Sequence, residues 1–147
     1  MTRSLSTSMK STAAVAFLTL LAIATATSAF AQQQSIQGKV PFNFMVGEKV
    51  LPAGEYTVVS QGNSLLWIRS ADGRNWATVA GTQSYHDASG GSQLEFDRIG
   101  ESYFLHRVLS PTLSALNIDI PLGRFEKAVR ERQAGLQSPP KVLVAMK

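Results

Sequence analysis

Between Val40 and Leu109 short β-type runs are cut by turn-forming residues at close intervals, and that rhythm leaves few folds open. Val40, Phe42, Phe44 and Val46 fall on one side of an extended chain and Pro41, Asn43 and Met45 on the other, the period of two that a strand imposes. Gly47-Glu48-Lys49 then turns the chain, and Leu51-Pro52-Ala53-Gly54 turns it again before the β-rich run Glu55-Tyr56-Thr57-Val58-Val59. Further runs follow at Leu65 to Arg69, Trp76 to Tyr85, Gln93 to Ile99 and Tyr103 to Leu109. Gly62-Asn63, Asp72-Gly73, Ala88-Ser89-Gly90-Gly91 and Gly100-Glu101 separate them, all of it hairpin chemistry. With no helix between the strands, the expected fold is mainly β: an antiparallel meander forming a small β-sandwich or a partly open barrel.

The character changes near the C-terminus. Leu122, Phe125, Ala128 and Val129 recur at helical spacing among Arg124, Glu126, Lys127, Arg130 and Glu131, which predicts one amphipathic helix over about 122–134. Pro121 suits its start and Gly135 its stop, and Ser138-Pro139-Pro140 forbids continuation. Residues 137–147, with Val142-Leu143-Val144, form either a tail or an edge strand, so one β-rich domain is expected over 32–136.

The N-terminus carries a different signal. Arg3 and Lys10 precede an uncharged apolar run from Ala13 to Thr25, and Ala29-Phe30-Ala31 places small residues where a signal peptidase reads them, so residues 1–31 read as a secretory signal peptide. The run is too short for a bilayer core and is followed by Gln32-Gln33-Gln34, which argues against an integral span after cleavage. The expected destination is the periplasm or the medium. Of the 147 residues, 14 are Lys or Arg and 10 Asp or Glu, and removing residues 1–31 leaves 12 basic against 10 acidic side chains. So small an excess lacks the basic footprint that nucleic acid requires. Strands short and interrupted by Arg69, Asp97 and Arg107 do not suit an outer-membrane barrel.

The pieces Val40-Pro41-Phe42-Asn43-Phe44-Met45-Val46-Gly47 and Leu51-Pro52-Ala53-Gly54-Glu55-Tyr56-Thr57-Val58 resemble a family of small exported bacterial β-rich proteins whose pattern is VPFxFxVG followed by LPAGxYTV. The resemblance extends to the signal peptide, a Leu-rich strand ending in Asp-Gly, and a YFL strand before a charged helix. The family's function is unassigned, so it implies export and a β fold and supplies no site residues. The piece PAGxY is also similar to strand starts in prealbumin-like sandwiches.

Two constellations follow from the expected hairpins. Two-residue turns at Gly62-Asn63 and Asp72-Gly73 set Val59 opposite Leu66 and Ile68 opposite Ala77, collecting Tyr56, Val58, Leu65, Trp67, Arg69, Trp76 and Thr78 on the other face. Tyr56, Trp67, Arg69 and Trp76 would then form an aromatic platform with a guanidinium between two indoles, suited to a glycan or a protein partner. The alternative is that the helix, through Phe125 and Val129, or a second sheet covers this face as core. A four-residue loop at Ala88–Gly91 and a turn at Gly100-Glu101 set Glu95 opposite His106 and diagonal to His86, a set that could hold a metal or simply form a polar sheet face.

Catalytic signals are lacking. Ser84, Tyr85, His86 and Asp87 are neighbours on a strand, which does not make a triad, and Glu95 and Asp97 are an ordinary pair on one strand face. Phosphate loops and dinucleotide fingerprints are absent. The chain has no cysteine, which excludes disulfides, thiolate metal sites and a thiol nucleophile. The leading expectation is an exported non-enzymatic β-domain with no cofactor that binds an envelope protein or a glycan. The other expectations are a metal-dependent protein using His86, Glu95 and His106, and an envelope protein assembling through edges near Val40 or Val142.

Overall fold

A computed structural model describes residues 35–62, 64–86, 89–111, 113, 116–133 and 138–147. The expected signal peptide at 1–31 and the helix stop at Gly135 lie outside the described residues.

Eleven strands and one helix are described. They are β1 (Ser35–Val40), β2 (Phe44–Val46), β3 (Lys49–Leu51), β4 (Gly54–Ser60), β5 (Leu65–Ser70), β6 (Trp76–Ala80), β7 (Thr82–Gln83), β8 (Gln93–Ile99), β9 (Ser102–Leu109), β10 (Ile118–Asp119), α1 (Arg124–Arg132) and β11 (Lys141–Ala145). One sheet runs β1-β4-β5-β6 and the other β11-β8-β9-β10-β7, with the β2–β3 hairpin joined to β9 by a parallel bridge at Met45 and Phe104. Neither sheet closes into a barrel. A single core cluster lies between them, contributed by Ile36, Tyr56, Val58, Leu66 and Ile68 from the first sheet and Leu94, Phe96, Leu105, Val108 and Ile118 from the second. The fold is thus a two-sheet β-sandwich with one C-terminal helix.

The alternating run at Val40–Val46 does more than form one strand. Val40 ends β1 in the first sheet and Phe44 begins β2 in the second, so Pro41-Phe42-Asn43 carries the chain across the sandwich. Proline has no N–H for a ladder, so a strand breaks there without leaving a donor unpaired. The one-sided apolar pattern survives the crossing. Phe42 stacks on Tyr103 with ring centroids 3.9 Å apart, and Phe44 meets Tyr56 and Phe96 edge to face at 5.1 and 5.3 Å.

The connections between strands depart from a plain meander. β7 does not pair with β8; it pairs with β10, which itself lies beside β9. The C-terminal segment is an edge strand, β11 on β8, and beyond it Lys147 and Gln37 exchange both backbone hydrogen bonds at 2.7 and 2.8 Å. That exchange ties the end of the chain to β1 and stitches the two sheets along one seam. Gly38 permits it, because a Cβ there would stand 2.9 Å from the Ala145 carbonyl oxygen and closer still to the Met146 sulfur. The expected open edges near Val40 and Val142 are therefore occupied along part of their length.

Helix α1 begins after Gly123 and lies against the second sheet. The ring of Phe125 stands 6.3 Å from that of Phe104 on β9, Arg130 donates to Asp97 of β8 at 2.6 Å, and Arg124 donates to Glu48 of the β2–β3 turn at 2.6 Å. Glu126 is its buried residue, held by Arg130, whereas Phe125 remains half exposed. No helix among the described residues is long and apolar enough to cross a membrane.

Candidate binding face

The outer face of the first sheet is built by β1, β4, β5 and β6. The β5–β6 pairing is the expected one, with Ile68 opposite Ala77 and Arg69 opposite Trp76. The β4–β5 pairing is offset by one residue: Val59 lies opposite Trp67 and Val58 opposite Ile68. The connection is longer than a two-residue turn, since Gln61 N–H donates to Leu65 and both Gly62 and Ser64 take positive φ. Because side chains alternate with a period of two, that one residue exchanges the faces of β4.

Tyr56 is accordingly not part of the aromatic face. It is buried in the core, its hydroxyl donates to the Pro52 carbonyl at 2.7 Å, and burial pushes its phenol above the ordinary tyrosine range, with the Asp72 charge adding to the shift. Val58 moves into the core with it, and Thr57 and Val59 take their places outside.

Trp67 and Trp76 stay outside, 51% and 56% exposed. Of the two alternatives, cover by the helix or a second sheet is not what the structure shows: α1 packs on the second sheet, and no described element covers the outer face of the first. Thr57, Arg69 and Trp76 align across β4, β5 and β6, continuing from Gln37 on β1, and the neighbouring row is Val59, Trp67 and Thr78. The two indoles are thus diagonal neighbours, with Arg69 two residues from one and directly across from the other.

The guanidinium of Arg69 does not lie between the indoles. It folds over the β5–β6 turn, with Nη2 2.8 Å from the position a Cβ on Gly73 would take. That turn is ordered by the Ser70 hydroxyl and the Arg74 N–H, which both donate to Asp72 and hold its carboxyl below the ordinary range. The cation over an indole is Lys49, whose Nζ stands 4.5 Å from the Trp76 ring centroid. Sequence reasoning missed Lys49 because its turn lies far from β6 along the chain and only the packing of β3 beside β6 brings them together. Among the described residues neither Lys49 nor Arg69 has an acidic partner.

At the β1 end the same face deepens into an open cleft of about 400 Å³, lined by Gln37, Lys39, Glu55 and Thr57 and bounded by Ala145 and Lys147 of the C-terminal segment. From this cleft to Trp76 is three strand spacings, about 14 Å.

The residues expected to hold a metal do not converge. Pairing from Gly100-Glu101 runs as expected from Ile99 and Ser102 to Phe96 and Leu105, and then a bulge intervenes, so Glu95 faces Arg107 and His106 is the extra residue. Glu95 is buried between Arg107 and Lys141. The His106 Nδ1 lies 3.9 Å from Asp97 and has no hydrogen-bond partner, nor does Asp97 Oδ1. His86 is on the segment after β7, bonded to the Ser84 hydroxyl and 4.0 Å from Asp119. Among the described residues no three His, Cys, Asp or Glu side chains gather as a metal site.

Ser84 and His86 do meet, being two apart on one face. Both the hydroxyl and Asp119 address the same ring nitrogen, Nδ1, whereas a relay needs them on opposite nitrogens, and Ser84 is buried. Asp87 lies outside the described residues. Compared with protein-family models, with curated proteins and with solved structures, the chain matches none.

Proposed function

We propose that the protein is an exported, non-enzymatic binding domain whose bare sheet face takes a glycan. The observation that carries this reading is the pair of half-exposed tryptophans on a face that no other described element covers. An isolated large aromatic in water is unfavourable by about 1.5–3 kcal/mol relative to burial, and two on one face make a surface that gains from being covered. The surroundings favour a sugar over a protein. Thr57, Arg69 and Thr78 interrupt the apolar area, so the indoles are islands among hydrogen-bonding groups. A protein interface buries a contiguous apolar centre with a polar rim, whereas a pyranose offers a small C–H face ringed by hydroxyls.

Export is supported by Arg3 and Lys10 before the apolar run, by the small residues at Ala29 and Ala31, and by the resemblance to exported proteins. Amino-terminal sequencing of the product recovered outside the cytoplasm is expected to begin at Gln32. For the binding reading, the protein produced from its full chain is run through native gels cast with polysaccharides. Retardation that Trp67→Ala and Trp76→Ala each abolish is the expected result; no retardation by any polysaccharide, or retardation indifferent to both substitutions, overturns it.

A further inference from the structure

The cations around the tryptophans point to a narrower ligand. We infer that the face takes an acidic glycan, a chain of uronate sugars, in which the indoles stack on the rings and Arg69 and Lys49 take the carboxylates. This rests on the glycan reading above and deepens it.

Two observations carry it. First, Arg69 and Lys49 border Trp76, one as its directly paired cross-strand neighbour and one 4.5 Å from its ring centroid, and neither has an acidic partner among the described residues. Arg98, Arg107, Arg124, Arg130 and Lys141 are paired with acids, whereas Lys49 and Arg69, like Lys39 in the cleft, form no salt bridge among the described residues. Second, the cleft at the far end of the face is lined by Lys39 and Lys147 as well as Glu55, so basic side chains stand at both ends of the face.

The chemistry matches a uronate. Its carboxylate projects from the rim of the sugar ring, so a ring lying flat on Trp67 directs its charge towards Trp76, over which Lys49 stands, and towards Arg69, whose guanidinium would swing from the β5–β6 turn to meet it. A guanidinium accepts a planar carboxylate through two parallel N–H···O bonds, and an ammonium over an indole supplies a point charge already oriented by the ring. A chain of such sugars would cross the face from Trp76 towards the cleft.

The test compares polygalacturonate with its fully methyl-esterified form, which keeps the backbone and removes the charge, and with polyglutamate, which keeps the charge and lacks sugar. Affinity of the full-chain protein is measured at low and moderate salt. We expect polygalacturonate to bind about tenfold more tightly than its methyl ester, the gap to narrow with salt, and polyglutamate to bind weakly. Arg69→Gln and Lys49→Gln are expected to lower the affinity for polygalacturonate more than that for its ester, so that the preference is lost while the thermal midpoint stays in place; Trp67→Ala lowers affinity for both sugar polymers. Equal binding of the acid and its ester, or a preference untouched by Arg69→Gln and Lys49→Gln, overturns the acidic specificity and leaves the glycan reading standing. Polyglutamate binding as tightly as polygalacturonate means generic charge attraction and overturns it too. Failure of both sugar polymers overturns this inference, and the glycan reading falls with it only when neutral polysaccharides also fail in the native gels.

Discussion

Val58 and Val59 provide the sharpest test of which face β4 buries. Val58 is fully buried, set between Ile36 on β1 and Ile68 on β5, and the backbone groups around it are consumed by ladders on both sides. Val58→Thr keeps the shape and replaces a methyl with a hydroxyl that finds no partner there. An unpaired hydroxyl in such a place costs about 1–3 kcal/mol, with no cavity to add to it. Val59→Thr places the same hydroxyl on the outer face, where water satisfies it, and should change stability by no more than about 0.5 kcal/mol. For a domain of roughly 110 residues these values correspond to a fall in Tm of roughly 5–15 °C for the first variant and under about 3 °C for the second. Thermal unfolding followed by circular dichroism on the two variants and the parent measures the difference. If Val59→Thr proves the more damaging, β4 faces the other way, Tyr56 returns to the tryptophan face, and the binding site must be redrawn.

Other consequences are open to measurement. Both indoles should emit at long wavelength and be quenched readily by acrylamide, checked on Trp67→Phe and Trp76→Phe separately; blue-shifted, shielded emission from either would show a covered face. Arg124 holds the Glu48 carboxyl below its ordinary value of 4.5 through a hydrogen bond and its charge. A lowered folded-state pKa means that the pair stabilises the fold above about pH 4.5 and that this is lost as the pH falls through the lowered value, so Arg124→Gln should lower Tm slightly above pH 4.5, neutral pH included, and converge with the parent at low pH, which flattens the acid limb. An unaltered acid limb would refute it. Arg130→Gln leaves Asp97 and Glu126 buried without their cation and should cost about 2–3 kcal/mol by urea unfolding, less than a fully buried pair because the guanidinium is partly exposed; a cost below about 0.5 kcal/mol would refute that role. Gly38→Ala should push Ala145 and Met146 from β1 and raise hydrogen exchange at the amides of Gln37 and Lys147, and unchanged exchange there would show that the seam does not depend on Gly38.

Much of the fold could be read locally. Turn-forming pairs marked the strand breaks, and where a turn held its expected place the register was right: Ile68 opposite Ala77 across the Asp72-Gly73 turn, and Ile99 opposite Ser102 across Gly100-Glu101. The helical spacing of Leu122, Phe125, Ala128 and Val129 located α1 to within two residues at each end. What local reading missed came from single insertions. One additional residue after Ser60 turned Tyr56 and Val58 inward, and one bulged residue, His106, replaced the expected Glu95–His106 contact with Glu95–Arg107. Neither has a signal in composition, because the same residues suit either register until a core selects one.

The candidate site divides along the same line. That Trp67, Arg69 and Trp76 share a face follows from strand period and one hairpin, so the sequence by itself determined the platform's members on β5 and β6. Whether that platform is core or surface depended on where α1 docks. Ion pairs from Arg124 and Arg130 to Glu48 and Asp97 hold the helix on the second sheet, and no described element covers the first. Lys49 reaches Trp76 only because two sheets meet at an edge. Period and turn chemistry act between near neighbours and are written in order along the chain. Which sheet a helix covers is settled by contacts between segments far apart in it, and only the folded protein brings those segments together.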